Sequence, residues 1–275
     1  MVCAGEKTKL LIVGTRETRA RNDAPLVQLE VCGKVVEESA AEKLLGVIVS
    51  NDLSWRTHLH GNKLTGKDKI TGLITKLSQR VGMLKRLSKV MPKNKFKNVS
   101  EGIFNSKLIY CLQLFGNVWG VPNFDENRRR FSAFTKDDNR RLQCLQNRVL
   151  RLQTGLPQDT PLTVLLERTN EMSVMQQTAF HTINTVHKVV TSGQPGYLAE
   201  RLKLRTEGGG IFPHRHLNTI AIPDVELTLS RGGFCYRGAC LWNNLPCHMR
   251  CGMKTQAFKR ELKKWVRANI GPRPP

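Results

Sequence analysis

The sequence is poor in two kinds of residue, acids and aromatics. Only 22 Asp and Glu oppose 44 Lys and Arg in 275 residues, which leaves a formal charge of +22, and Phe, Trp and Tyr together make up 6% of the chain. So large an excess of cations repels itself unless a polyanion is bound, so nucleic acid is the first partner to expect, ahead of an anionic membrane and an acidic protein. Few aromatics disfavour base stacking on single strands, which favours contact with the backbone of a duplex.

Other absences narrow the class of protein. No apolar run approaches the roughly 18–20 residues that span a bilayer, and no hydrophobic signal segment opens the chain. We therefore expect an intracellular protein, in the nucleus or in a cytoplasmic ribonucleoprotein, that is not secreted and does not enter a membrane. Its eight cysteines are then expected to be thiols in a reducing compartment. No nucleophile elbow, Walker loop or zinc-protease motif is present, so no residue pattern indicates catalysis by this chain.

Apolar spacing divides the chain. Short apolar runs at 9–15, 26–36 and 43–49 predict a small N-terminal sheet with one hairpin. From about residue 62 the spacing changes to three or four, which predicts helices over about 70–91, 96–116, 142–154 and 172–190 and a last one capped by Thr255. The expected fold class is α+β, mainly α: a small antiparallel sheet (1–52), a basic helical bundle (53–155) and a mixed C-terminal region (156–275).

The cations are concentrated in the helical part. Between Arg56 and Asn98 twelve basic residues accompany one acid, Asp68. These are Arg56, Lys63, Lys67, Lys69, Lys76, Arg80, Lys85, Arg86, Lys89, Lys93, Lys95 and Lys97. An ordinary solvated helix face interleaves Glu with Lys four residues apart, so the missing acids favour contact with phosphates.

A second basic cluster surrounds the last predicted helix. Its members are Lys254, Lys259, Arg260, Lys263, Lys264 and Arg267. This helix is also amphipathic, so contact with phosphates or a membrane and packing against the protein both remain open.

Asp137 and Asp138 are adjacent carboxylates, as in metal-dependent polymerases. Those enzymes place the pair in a turn between apolar strands, where both carboxylates bind metal. Here the neighbours are polar and basic and a helix follows, which favours a helix-capping role together with Thr135.

The remaining polar motifs have structural interpretations. Zinc could be bound by members of the series Cys235, Cys240, Cys247, His248 and Cys251, but the intervening aromatic and apolar residues favour a packed core. The pairs His58–His60 and His214–His216 lack a third ligand. Trp55, Trp119, Trp242 and Trp265 lie among apolar neighbours and are expected in the core.

One segment carries a family resemblance. Residues 230–246 combine small and aromatic positions with Leu-Trp-Asn-Asn-Leu-Pro, which resembles the closing signature of non-LTR retrotransposon reverse transcriptases. Further segments resemble that family in the same order: 6–9 (Glu-Lys-Thr-Lys), 44–47 (Leu-Leu-Gly-Val), 53–58, 106–119, 142–151 and 194–198. The sequence thus resembles the C-terminal part of a jockey-like RNA-directed DNA polymerase over nearly its whole length.

The resemblance implies roles for particular residues. Lys7 corresponds to a lysine near the incoming nucleotide, and Leu45 and Gly46 correspond to the segment that holds the primer end, although Leu44 replaces the usual tyrosine. Residues 53–155 correspond to the thumb. The family's metal-binding aspartates would precede Glu6, so the chain is expected to hold no polymerase active site and no cofactor, with Mg²⁺ needed only by a complete polymerase.

The implied partners are RNA and DNA, as a primer–template duplex, and the palm and fingers of the polymerase. Three functions remain open: a nucleic-acid-binding fragment, a working part of the polymerase when joined to an upstream palm, and a domesticated basic interaction protein.

Overall fold

The computed structural model describes residues 8–14, 29–36, 38–64, 69–119, 134–205, 218–223 and 233–271. The chain forms two compact units, residues 1–76 and 77–275. Four short strands near the N-terminus precede a series of helices, which confirms the predicted α+β, mainly α class. The predicted boundaries near 52 and 155 stay a prediction.

Two antiparallel hairpins characterise the first unit. Strands β1 (Leu29–Val31) and β2 (Lys34–Val36) pair as predicted. Strands β3 (Ala41–Leu44) and β4 (Val47–Ser50) form a second hairpin, so the single strand predicted over 43–49 is wrong. The chain reverses at Leu45 and Gly46, whose φ angles of 47° and 86° match the two positive-φ positions of a tight hairpin turn.

The predicted strand over 9–15 is also wrong within its described part. Leu10 makes a single parallel bridge to Glu38, and residues 8–14 otherwise contain no strand. After β4 a short helix, α1 (Arg56–His60), follows.

Helices dominate the rest of the described chain. They are α2 (Leu73–Leu87), α3 (Lys93–Ser100), a π-helical turn (Glu101–Asn105), α4 (Ser106–Ile109), α5 (Leu112–Phe115), α6 (Lys136–Thr154), α7 (Leu162–Thr169), α8 (Val174–Ser192), α9 (Gly196–Ala199), α10 (Phe234–Asn243), α11 (Cys247–Arg250) and α12 (Thr255–Asn269). Within the residues that the structure describes, none of them combines the length and apolarity needed to cross a membrane.

Local signals explain where the long helices begin and end. Thr135 and Asp138 form the predicted capping box of α6, and Gly155 ends that helix in the left-handed conformation. The single helix predicted over 96–116 is wrong, because the π-helical turn and Cys111 (φ 58°) interrupt it. Thr255 is the first residue of α12 and makes no cap.

The core of the second unit is centred on α8, against which α10 and α12 pack. Gly238 permits the close approach of α10, since a Cβ there would lie 2.8 Å from Val186. His187 stacks on Phe258 with ring centroids 3.8 Å apart, and Trp242 lies beside both rings. The predicted burial of Trp242 is confirmed, whereas Trp55, Trp119 and Trp265 are only partly buried.

Candidate nucleic-acid interface

The predicted phosphate-binding cations are divided between the two units. Arg56, Lys63, Lys69 and Lys76 belong to the first unit, and the set from Arg80 to Lys97 belongs to the second. Lys7 and Lys67 lie outside the described residues, as do the His214–His216 pair and part of the 230–246 signature.

A groove of about 830 Å³ in the first unit is lined by Lys69 and Lys76. Lys9 and Lys43, which the sequence analysis did not single out, line it too. So do Glu38, Glu42 and Asp52. Partial burial by itself raises the pKa of Asp52. Hydrogen bonds from Ser50 and Ser54 lower it by more, so the pKa of Asp52 lies below its usual value. The groove therefore has mixed charge.

The tip of the β3–β4 hairpin carries the residues that resemble a primer grip. Leu45 is 84% exposed and its neighbour Leu44 is 65% exposed, while Val47 and Ile48 are buried. The tight turn thus presents two leucines outward, next to the buried Val47 and Ile48 of the same strand pair.

The second unit displays its cations on the last turn of α2, the turn that follows and α3. On α2, Leu77, Val81 and Leu84 are buried, so Lys85 and Arg86 point outward. Both are exposed, as are Lys89 and Lys95. These four residues, named here the exposed cation set (Lys85, Arg86, Lys89 and Lys95), make no ion pair with any residue that the structure describes.

Two neighbouring cations, Arg80 and Lys97, donate to backbone carbonyls. Arg80 donates to the carbonyl of Ile103 in the π-helical turn. The Lys97 ammonium donates to the Thr169 carbonyl at 3.3 Å and lies 4.0 Å from the Glu101 carboxylate.

The exposed Lys93 also lies near another helix: its ammonium is 3.2 Å from where a Cβ on Gly155 would be, next to the C-terminal end of α6, where a helix attracts cations. The predicted phosphate contacts of the cations in this unit, from Arg80 to Lys97, stay a prediction.

The first turn of α3 is electrostatically unusual. Pro92 precedes the helix and makes no side-chain cap, and the first turn contains Lys93 and Lys95 but no acid. The positive end of a helix favours anions there by about 0.3–1 kcal/mol each, so lysines at these positions are unfavourable in the isolated protein. A bound anion would reverse the sign of that interaction.

The second predicted cluster lies on one flank of α12. Lys259, Lys263 and Arg267 are four residues apart, and Arg260 and Lys264 repeat that spacing alongside them, so all five share one side of the helix. The opposite side buries Phe258, Leu262 and Val266 in the core. The apolar face of α12 therefore packs against the protein, which is one of the alternatives that the sequence left open.

The two basic clusters meet at the C-terminal end of α7. Arg267 donates to the backbone and side-chain oxygens of Asn170 at 2.7 Å each, one residue beyond the Thr169 carbonyl that Lys97 contacts. The two cations therefore lie within about 10 Å of each other, because consecutive residues are about 3.8 Å apart. No local signal could have predicted this arrangement.

Two acids lie among these cations. Burial and the nearby Glu101 raise the pKa of Glu171, against the opposing effect of Lys97, Lys263 and Arg267. Glu171 also accepts from Asn105 at 3.4 Å. The junction is thus partly neutralised, whereas the exposed cation set is not.

The candidate metal sites have structural roles. Asp138 is buried in the capping box of α6, and Asp137 pairs with Arg141 at 2.8 Å. His58 accepts the Ile48 amide at 3.2 Å. Across the described parts of the chain, no three His, Cys, Asp or Glu side chains are grouped so that they could hold a metal ion.

Comparison with protein-family models, with curated proteins and with solved structures finds no match to this chain. A functional assignment therefore depends on the charges and geometry described above and on the sequence resemblance.

Proposed function

We propose that this chain is a nucleic-acid-binding part of a non-LTR retrotransposon reverse transcriptase, which grips an RNA–DNA primer–template duplex through its backbone phosphates. The observation that carries the proposal is the exposed cation set on α2, α3 and the turn between them. Four cations stand in solvent with no acid of the described residues paired to them, on helices that bury Leu77, Leu84 and Phe96 on their other side. Such a surface suits a partner with regularly spaced negative charges.

The helix ends favour the same partner. Lys95 lies in the first turn of α3, where the helix dipole already attracts anions through the backbone amides. A phosphate at this end would interact favourably with both the lysine and the dipole. Contacts of this kind fix position and orientation without reading sequence.

The α12 flank supplies a second line of cations. Arg260 and Lys264 are exposed beside Arg267, although Lys264 also pairs with Glu261 at 3.0 Å. Because Arg267 and Lys97 meet at α7, a duplex on α3 lies within reach of this flank. We expect the flank to contribute less per residue than the exposed cation set, since acids partly neutralise it.

The test is binding of the whole chain to a labelled RNA–DNA primer–template, measured by fluorescence anisotropy from 50 to 200 mM salt. About five phosphate contacts predict a slope of log K against log salt of about −4 to −5. Replacing the exposed cation set with Glu should flatten the slope by about three to four units. The matched control, Lys188→Glu with Lys203→Glu, removes two exposed cations from other helices and loops and should change the slope by less than about one unit.

Two outcomes would overturn the proposal. If the folded wild-type chain does not bind at 50 mM salt, its charge serves another purpose. If polyglutamate or anionic vesicles compete as well as the duplex at equal charge, the chain is a basic interaction protein without preference for nucleic acid.

A second candidate function is that of a working part of a polymerase whose palm is supplied in cis or in trans. The observation that favours it is the outward display of Leu44 and Leu45 at a hairpin turn, where the resemblance implies contact with the primer end. A photo-crosslinking amino acid at position 45 should then link to the recessed 3′ end of the primer. The same probe at Val35, which is 68% exposed on the other hairpin, is the control, and equal labelling of template and primer from position 45 would exclude this function.

A further inference from the structure

Cys247 and Cys251 are a thiol pair that the proposed function does not use. Both are exposed, at the two ends of the short helix α11, and their sulfur atoms lie 3.6 Å apart. The zinc series considered from the sequence does not assemble around them, because Cys240 is buried in the core and Cys235 is half-buried in α10.

We propose that Cys247 and Cys251 form a modification site that reacts with a low-molecular-weight disulfide, such as glutathione disulfide, and closes to an intramolecular disulfide. The backbone already has a suitable span. Four helical residues at about 1.5 Å rise each separate the two Cα atoms by about 6 Å, inside the range of about 4.4–6.8 Å found for disulfides.

Little has to move for the bond to form. The sulfurs must approach from 3.6 Å to about 2.0 Å, and rotation of two exposed side chains supplies this without disturbing packed residues. The bond displaces one weak contact, the donation from Asn218 Nδ2 to the Cys251 sulfur at 3.4 Å.

The reaction has two steps, and the contact between the thiols lets either sulfur begin it, since either can be the hydrogen-bond donor. One thiolate attacks glutathione disulfide, forms a mixed disulfide and expels one glutathione thiolate. The other cysteine then attacks the protein sulfur of that mixed disulfide and expels the second glutathione thiolate, and the two protons lost by the protein pass to the departing thiolates. The protein loses two protons and two electrons, and one glutathione disulfide is reduced to two glutathiones.

Other cysteines provide internal contrasts. Burial raises the pKa of Cys240 to about 11 and shields it from the reagent, so it should stay unmodified. Cys144 on α6 is exposed like the pair, but none of the other cysteines that the structure describes has its sulfur in contact with it, so it should retain a glutathione adduct.

The experiment treats the native full chain with excess glutathione disulfide and follows intact mass and tryptic peptides. Trypsin cuts after Arg250, between the two cysteines, so the bond appears as a cross-linked peptide pair that has lost two hydrogens. In Cys251→Ser that loss should vanish and Cys247 should carry glutathione, whereas Cys144→Ser should leave the cross-linked pair unchanged. In strong denaturant the ratio of cross-link to mixed disulfide should fall at least about tenfold, because the helix no longer holds the thiols together.

Stable glutathione on Cys247 or Cys251 in the native wild type would overturn the proposal. So would an unchanged ratio in denaturant, since the reaction would then owe nothing to the fold. Neither result depends on nucleic-acid binding.

Discussion

Arg237 on α10 and Lys95 on α3 carry the same charge in opposite surroundings. Arg237 is 4% exposed and donates to the carbonyls of Gln113 and Leu114 at 2.9 and 2.8 Å. Burial lowers its pKa to about 10, so it is charged at neutral pH. Lys95 is exposed and makes no ion pair with a described residue.

The contrast between Arg237 and Lys95 distinguishes cations that stabilise the fold from cations that are available to a partner. A cation that donates to backbone carbonyls stabilises this chain, because it satisfies acceptors left over at helix ends. A cation without such an acceptor adds only repulsion to the isolated protein and is available to a partner. Replacing a cation that donates to backbone carbonyls should therefore change the free energy of unfolding. Replacing a cation without such an acceptor should change the affinity for the duplex.

The largest expected effect is on stability, from Arg237→Met. The change removes a buried guanidinium and leaves the carbonyls of Gln113 and Leu114 without their donor, which should lower the free energy of unfolding by about 2–4 kcal/mol. Urea unfolding measures it, with exposed Arg140→Met on α6 as the control at under about 0.5 kcal/mol. If the two variants were equally stable, the distinction between the two classes of cation would fail.

Acid should destabilise the same interior. Burial lowers the pKa of His187 and of His181, so below the usual His pKa near 6.5 the unfolded chain binds protons that the folded chain does not. The free energy of unfolding should be level above about pH 6.5 and fall below it, by up to about 1.4 kcal/mol per pH unit for each His.

The measurement is urea unfolding from pH 5.5 to 8. His187→Gln should remove the contribution of one histidine to the dependence of the free energy of unfolding on pH, whatever the change does to stability at pH 8. His248→Gln, an exposed position on α11, should leave the slope unchanged. A wild-type curve that is flat from pH 5.5 to 6.5 would contradict the prediction.

Local signals made much of the helical part predictable. The predicted ends of α6 and α8, at about 154 and 190, lie within two residues of the observed ends at Thr154 and Ser192, and the glycines that follow, Gly155 and Gly193, adopt the left-handed conformation. The break at Cys111 carries no such signal, because a cysteine seldom adopts φ 58° and its neighbours continue the helical spacing. The turn at Leu45 was not predicted, because Leu45 has a positive φ angle within an apolar run that reads as one continuous strand.

The sequence predicted which segment of the candidate site is basic, but not which of its cations contact the rest of the protein. The missing acids identified the basic segment, but nothing local distinguishes Lys97, whose ammonium donates to a backbone carbonyl, from Lys95, whose ammonium donates to none in the described parts of the chain. Their difference depends on Thr169, which is 72 residues from Lys97 along the chain. The meeting of the two clusters likewise depends on Arg267 and Asn170, 97 residues apart.

Arg267 tests the boundary between the two classes, because it is exposed and yet donates to Asn170. Arg267→Met should lower the free energy of unfolding by about 0.5–1.5 kcal/mol through the lost hydrogen bonds and should also weaken duplex binding. Arg260 lies on the same flank and donates to no carbonyl of the residues that the structure describes, so Arg260→Met should weaken binding alone. Urea unfolding and duplex-binding anisotropy, measured on both variants, test this difference. A loss of stability in Arg260→Met would contradict the division of cations into two classes.

The smallest effect is the most specific, since it predicts opposite signs for stability and binding. Lys95→Glu places an acid in the first turn of α3, where the helix dipole favours it, so the free energy of unfolding should rise by about 0.5 kcal/mol at low salt and return to the wild-type value at high salt. The same change should flatten the salt slope of duplex binding by about one unit. Lys95→Gln should fall between wild type and Lys95→Glu in both measurements. If stability and binding fell together, Lys95 would belong with Arg237 among the cations that the fold itself requires.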